Sequence, residues 1–391
     1  MTLILPPELV AEIVGHARTD RKTLLACSCA ASSFLRPSRN VLFETVTVAS
    51  AARGRGLVQL ASSPWETFSA SIQKLCVVMD VDSVDADTEL EIFLDNVVAG
   101  LPALPSLSQL SVQDFTFGFH PASTARLERL AHITCLEITD SLFDHVWGLL
   151  GFIAAFPLLE KLAADLVFAD DEVTSRQPIT ELACPRGLHT LSLSQHVGSV
   201  PAPFRIITEW FHSSEIRDLR IATVQRESVG SAGALIRAIS NHLRTLDIAL
   251  SPHVNTAQVE QHLDLSGCTG LKSLTVHVGL RRNTTPGAPP SAIWALLRAP
   301  RSPIQTLIIV LRVDIVFLLV NFSWTDLHDL LRTKPYAELE QLRFMVHCPY
   351  DPLILQAVRA QMGLEQGQER AAGLPARQIV VEHSEVSLRR S

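Results

Sequence analysis

From residue 43 onward, apolar positions recur in one pattern, apolar-x-x-Leu-x-apolar. It appears at Ile72-x-x-Leu75-x-Val77, Leu107-x-x-Leu110-x-Val112 and Ile133-x-x-Leu136-x-Ile138, and shortened at Leu159-x-x-Leu162. It continues at Leu188-x-x-Leu191-x-Leu193, Ile216-x-x-Leu219-x-Ile221, Leu243-x-x-Leu246-x-Ile248 and Leu271-x-x-Leu274-x-Val276. Ile304-x-x-Leu307-x-Ile309 and Leu339-x-x-Leu342-x-Phe344 close the series, and Phe43-x-x-Val46-x-Val48 reads as its first member. The alternation inside each copy predicts a short strand with every second side chain pointing inward. Between the copies lie longer apolar stretches at helical spacing, such as Val146 to Leu150, Ile206 to Phe211, Leu235 to Ile239 and Ile293 to Leu297. One strand and one helix per repeat cannot bury their apolar faces alone, so the repeats are expected to stack in parallel around a continuous core.

The first 42 residues follow a different period. Pro6 and Pro7 suit the start of a helix, because they fix φ and donate no backbone hydrogen bond there. Leu9, Val10, Ile13 and Val14 follow as an apolar stripe. A second helix carrying Leu24 and Leu25 is expected after a Thr19 or Asp20 cap, and a third after Ser32 or Ser33. Three short helices cannot enclose this much apolar surface, so part of it should face a partner or the next module. The expected division is therefore a helical module over 1–42 and a repeat region over 43–391.

Two resemblances follow from these motifs. The opening Leu5-Pro6-x-Glu8-Leu9, with the paired leucines Leu24 and Leu25, resembles an F-box. The run from Thr23 to Ser28, with Phe34 to Arg39 and Leu42-Phe43, is similar to the version found in fungal F-box proteins. Ala30, Ala31 and Ser32 depart from the valine, cysteine and arginine usual there, and Phe34 replaces tryptophan. The repeats resemble leucine-rich repeats, with central leucines from 110 to 274 advancing by 26 to 29 residues. The asparagine or cysteine that normally follows the strand is absent; Ser141 and His196 occupy that place in two repeats, which predicts a degenerate solenoid. The fold expected is thus α/β: a three-helix F-box followed by a curved solenoid, parallel strands on the concave side and helices outside.

The resemblance implies the substrate receptor of a Skp-cullin-F-box ubiquitin ligase. Its helices would bind a Skp-type adaptor of the cullin complex through Leu5, Pro6, Leu9, Ile13, Leu24 and Leu25. Its repeats would hold a protein substrate. The alternative is a non-catalytic repeat scaffold without ligase coupling. The outward strand positions are the substrate-binding candidates, namely Thr190, Ser192, Ser194, Asp218, Arg220, Thr245, Asp247, Thr275 and His277.

Composition narrows the field further. The chain has 391 residues, is 47% hydrophobic and only 19% charged, and so can bury a large core. A net charge of -7 gives no support to general nucleic-acid binding. The seven cysteines show no metal spacing and are expected to be reduced in an intracellular protein, cytoplasmic or nuclear. No leader is expected, since Leu3-Ile4-Leu5 meets two prolines. Residues 304–322 are nearly all apolar, but Arg312 and Asp314 at their middle favour a buried strand over a membrane span. No nucleophile elbow, phosphate-cradling glycine loop or metal-protease spacing is present, so the chain is expected to bind rather than catalyse, with no cofactor and no metal.

Overall fold

The computed structural model describes residues 5–64, 66–78, 97–117, 126–143, 145–165, 167–168, 182–194, 201–212, 214–280, 291–313, 322–347, 356–358, 360 and 378–383. These fall into two compact units, Met1–Leu188 and His189–Ser391. The helical module belongs to the first.

Three helices open that first unit: α1 (Pro7–His16), α2 (Arg21–Ala30) and α3 (Ser32–Leu42). The repeats follow as β1 (Thr45–Val48), α4 (Ala51–Ala61), β2 (Lys74–Val78) and β3 (Gln109–Gln113). After β4 (Thr116–Phe117) come β5 (Cys135–Thr139), β6 (Leu142–Phe143), α5 (Val146–Ala154), β7 (Lys161–Asp165) and β8 (Val167–Phe168). Strands β1, β2, β3, β5 and β7 pair in that order, all parallel, with Leu75, Leu110, Leu136 and Leu162 in register. The two-residue strands β4, β6 and β8 form a second small parallel sheet.

In the second unit strand and helix alternate more regularly. Its elements are β9 (Thr190–Ser194), α6 (Pro201–Phe211), β10 (Asp218–Val224), α7 (Val229–Ile239), β11 (Thr245–Leu250) and α8 (Thr256–His262). They continue as β12 (Ser273–Leu280), α9 (Ser291–Arg298), β13 (Thr306–Val313), α10 (Trp324–Leu331), β14 (Gln341–His347) and β15 (Gln378–His383). All seven strands are parallel and paired in chain order, so Leu191, Leu219, Leu246, Leu274, Leu307 and Leu342 align in one row. This is the leucine-rich-repeat-like α/β solenoid that the spacing predicts. Strand β13 continues through Arg312 to Val313 where a break is expected, and Ile379-Val380-Val381 adds a last strand as anticipated.

The core lies between the inward strand side chains and the helices. The central leucine of every template from Leu75 to Leu342 is at most 2% exposed, and so are the apolar residues that open them, such as Ile72, Ile133, Leu188, Ile216 and Ile304. Successive helices α6 to α9 pack side by side as the second layer. Each strand also begins with one repeated main-chain device. The N–H groups of Arg217 and Asp218 both donate to the His189 carbonyl, those of Arg244 and Thr245 to Arg217, and those of Lys272 and Ser273 to Arg244. The same pairs run from Gln305 and Thr306 to Lys272 and, in the first unit, from Lys74 back to Glu44 and onward to Lys161. The backbone thereby closes each strand mouth without an asparagine ladder.

Side chains add local stitches. Ser141, 1% exposed, accepts from the Phe115 N–H at 3.3 Å and donates to the Thr139 carbonyl at 2.9 Å, doing the work expected of the missing asparagine. His196 lies outside the described residues. The buried Tyr336 hydroxyl donates to the Leu297 carbonyl at 2.7 Å, and burial holds that hydroxyl well above its ordinary pKa. Asp114 and Asp140, just after β3 and β5, adopt left-handed backbone with φ of 59° and 49°, which aspartate tolerates better than most residues.

One contact gives a direct test of helix-to-repeat packing. A Cβ on Gly233 of α7 would stand 1.9 Å from the His262 carbonyl oxygen, whereas one on Gly56 of α4 would meet nothing within 4 Å. Gly233→Ala should destabilise by about 1–3 kcal/mol through overpacking against backbone. Gly56→Ala should stabilise by about 0.5–1 kcal/mol, the ordinary gain of alanine over glycine in a helix. Thermal melts of both variants should therefore move in opposite directions.

Candidate functional site

The helical module is built as its sequence suggests at α1 and α2, and differently at α3. Pro6 caps α1 and Pro7 is its first residue. Asp20 caps α2, accepting from the Lys22 and Thr23 N–H groups at 3.0 and 3.2 Å and from the Thr23 hydroxyl at 2.6 Å. Those bonds, led by the Thr23 hydroxyl, hold its carboxyl below the usual carboxylate range. Helix α3 begins one residue earlier than expected, with Ala31 at the cap and Ser32 and Ser33 inside its first turn.

The six adaptor candidates separate by burial. Leu9, Ile13 and Leu25 are 46%, 44% and 48% exposed, large side chains left in water. Pro6 is exposed and Leu5 half-buried. Leu24 is 2% exposed, buried like Val10 and Val14, so it is a core residue and no part of the exposed surface. Leu9 and Ile13 stand one turn apart on α1, forming a stripe that the module leaves uncovered.

The module is joined to the first repeat by side-chain contacts. Arg18 pairs with Glu44, Arg39 donates to the Thr67 hydroxyl at 2.6 Å, and Ser71 donates to Asn40 at 2.7 Å. Phe43 stacks on Phe68 with ring centroids 4.7 Å apart. These contacts position the α1–α3 surface on the repeats.

The substrate candidates occupy the strand face opposite the helices, in rows set by the strand register. Thr190, Asp218 and Thr245 share one row, and Ser192, Arg220, Asp247 and Thr275 the next. Within them Asp247 joins three strands: its carboxylate contacts His277 Nε2 at 2.7 Å and Arg220 Nε at 3.5 Å. Thr190 donates to Asp218 at 3.4 Å. Exposure differs from site to site: Arg220 is exposed, Ser192 and Ser194 are half-buried, His277 is largely covered, and Thr275 is only 9% exposed. Thr275 is thus buried, unlike the open outward position that strand alternation predicts, because alternation sets direction and not what lies above the sheet.

In the first unit the same face carries a contact that repeat reading missed. Lys74 on β2 reaches across β3 to Glu137 on β5, at 2.8 Å. The Glu137 hydrogen bond, opposed by partial burial, raises the Lys74 pKa. The available signal is register: both residues point outward, two strands apart.

Among the described residues, no three His, Cys, Asp or Glu side chains converge to hold a metal ion. Burial pushes the Cys184 and Cys268 thiols up to about 12 and about 11, which keeps them protonated and unreactive. Cys76 and Cys135 are also raised by burial. The acidic run from Asp80 to Glu91 and the loop 284–290 lie outside the described residues. No described helix is long and apolar enough to cross a membrane.

No protein-family model matches the chain, and no curated protein does. Among solved structures it is similar to a chain of the Rad7 and Elc1 complex in yeast, with 14% identity and a TM-score of 0.42 over 91% of this chain and 85% of that one. It is also similar to an internalin from Listeria monocytogenes, at 10% identity and a TM-score of 0.29 over 94% and 90%. A chain in the complex of Latrophilin 3, Unc5D and FLRT2 aligns at 13% identity and a TM-score of 0.26, over 82% and 86%. Likenesses this distant carry no statement about partners.

Asp20 supplies a pH test of the module. Its carboxyl pKa is depressed in the folded state, so its contribution is present above the unfolded value and lost as pH falls through the folded one. Asp20→Ala should speed amide exchange across α2 at neutral pH. The difference from the unchanged chain should shrink as pH drops below about 4, where the unfolded carboxyl is protonated.

Proposed function

We propose that this chain is a substrate receptor of the Skp-cullin-F-box type, with α1 and α2 docking a Skp-type adaptor and the repeats holding a protein substrate. The carrying observation is the exposure of Leu9, Ile13 and Leu25 on a module of three short helices. The module has a core of its own in Val10, Val14 and Leu24, and these three side chains are left over after that core is filled. Covering them with a partner removes apolar surface from water, the usual drive for a helix-face interface. Leu9 belongs to the Leu5-Pro6-x-Glu8-Leu9 element that carries the F-box resemblance.

The receptor would act by proximity, bringing a substrate lysine near a ubiquitin-loaded enzyme, and would form no bond itself. Its ties from Arg18, Arg39, Asn40 and Phe43 to the first repeat would transmit position from the adaptor to the substrate. One observation favours a scaffold without ligase coupling: Ala30, Ala31 and Ser32, at the α2–α3 junction, are exposed and offer a partner little surface.

The two readings separate by capture of the purified chain on a Skp-type adaptor. Leu9→Asp with Ile13→Asp places two charges in a desolvated interface and should weaken capture by more than about tenfold, since unpaired buried charge is costly. Leu60→Asp, on an exposed leucine of α4, should leave capture unchanged. Full capture by the folded double variant would overturn this assignment of the face.

A further inference from the structure

The repeated strand-mouth bond fixes more than the backbone. The residue that supplies the shared carbonyl in each repeat of the second unit is, in order, His189, Arg217, Arg244, Lys272 and Gln305. Because Arg244 N–H donates to Arg217 and Lys272 N–H donates to Arg244, these three residues are direct neighbours in space, about 4.8 Å apart as adjacent strands are. All three are exposed. Three cations therefore stand in one column spanning about 10 Å, each at the same place in its repeat.

Only Arg217 is compensated, by Glu215 at 3.2 Å. Neither Arg244 nor Lys272 has a carboxylate within ion-pair distance among the described residues, although both lie in a chain of net charge -7. Like charges placed side by side on adjacent strands destabilise a sheet. The first unit, which uses the same bond, has Glu44, Gln73, Ser108 and Thr134 at the equivalent places and no cation. The fold thus needs a carbonyl at this position and places no demand on the side chain, so the column is a surface property set independently of folding.

We infer that the Arg217–Arg244–Lys272 column receives an acidic helical segment of the protein substrate. This rests on reading the repeats as a substrate-holding surface. Charge complementarity names the partner's sign. The spacing names its form, because carboxylates one turn apart on a helix are about 5–6 Å from each other, close to the step between strands. A nucleic acid is the weaker fit, since its phosphates would run on from three cations into a chain of net negative charge.

The test uses the full chain and a labelled helix-forming peptide carrying glutamates one turn apart, its glutamine counterpart, and a single-stranded oligonucleotide, followed by fluorescence anisotropy. The glutamate peptide should bind saturably, with affinity falling as salt rises, and the glutamine peptide about tenfold or more weakly. Arg244→Gln with Lys272→Gln should weaken the glutamate peptide by about tenfold or more while the melting temperature holds or rises, because repulsion is relieved. Arg205→Gln, at an exposed position of α6, should change neither. Equal binding of both peptides, equal loss in the Arg205 variant, a lowered melting temperature in the double variant, or tighter binding of the oligonucleotide would each overturn the inference. Adaptor capture is measured alongside. If the unchanged chain binds the glutamate peptide and fails to capture the adaptor, the ligase reading falls and the column stands; the converse result leaves the ligase reading and removes the column.

Discussion

Everything in the repeat region depends on one constraint: no repeat can bury its leucine alone. Leu246 is sealed because Leu219 and Leu274 lie in register on either side, and each of those depends on the next. Stability of such an array is a sum over neighbours, so the row fails or holds as neighbouring pairs do. The paired N–H donation at each strand mouth is the polar partner of this apolar row. It satisfies backbone groups where the chain turns from loop into strand, a place where an unpaired donor would otherwise cost about 1–3 kcal/mol.

That division of labour explains which parts were legible in the sequence. The leucine row was, because burial demands a particular side chain at each place, and the spacing then set strand register without further information. The strand-mouth ladder was not, because its acceptors are backbone carbonyls and its side chains include Glu44, Ser108, Arg217 and Lys272, which share no chemistry. Ser141 read as the loss of an asparagine ladder. In the structure its hydroxyl spans the same gap with one donor and one acceptor, and a shorter side chain suffices because Phe115 comes close.

The helical module shows the limit of motif matching within a single residue. Leu24 and Leu25 are adjacent and chemically identical, and both belong to the paired leucines of the F-box resemblance. Helical geometry turns one inward, to 2% exposure, and the other outward, to 48%. Sequence marks the pair; only the packing of α2 on α3 decides which member can meet a partner. The same holds at Thr275 and Arg220, both outward by alternation, one buried and one open.

Two features then stand out as places where local stability has been given up. Leu9, Ile13 and Leu25 lie in water although the module has an apolar core in Val10, Val14 and Leu24, and Arg244 and Lys272 stand together with no counterion among the described residues. Sequences specify a fold best when every local choice agrees with it, and departures cluster where something other than folding sets the residue. One departure is apolar and lies on the helices that precede the repeats. The other is cationic and lies on the second unit. Surfaces so different in chemistry call for different covering groups, apolar side chains over the leucines and carboxylates over the cations. A leucine stripe and a cationic column make separate demands on whatever covers them, and each can be altered without touching the other.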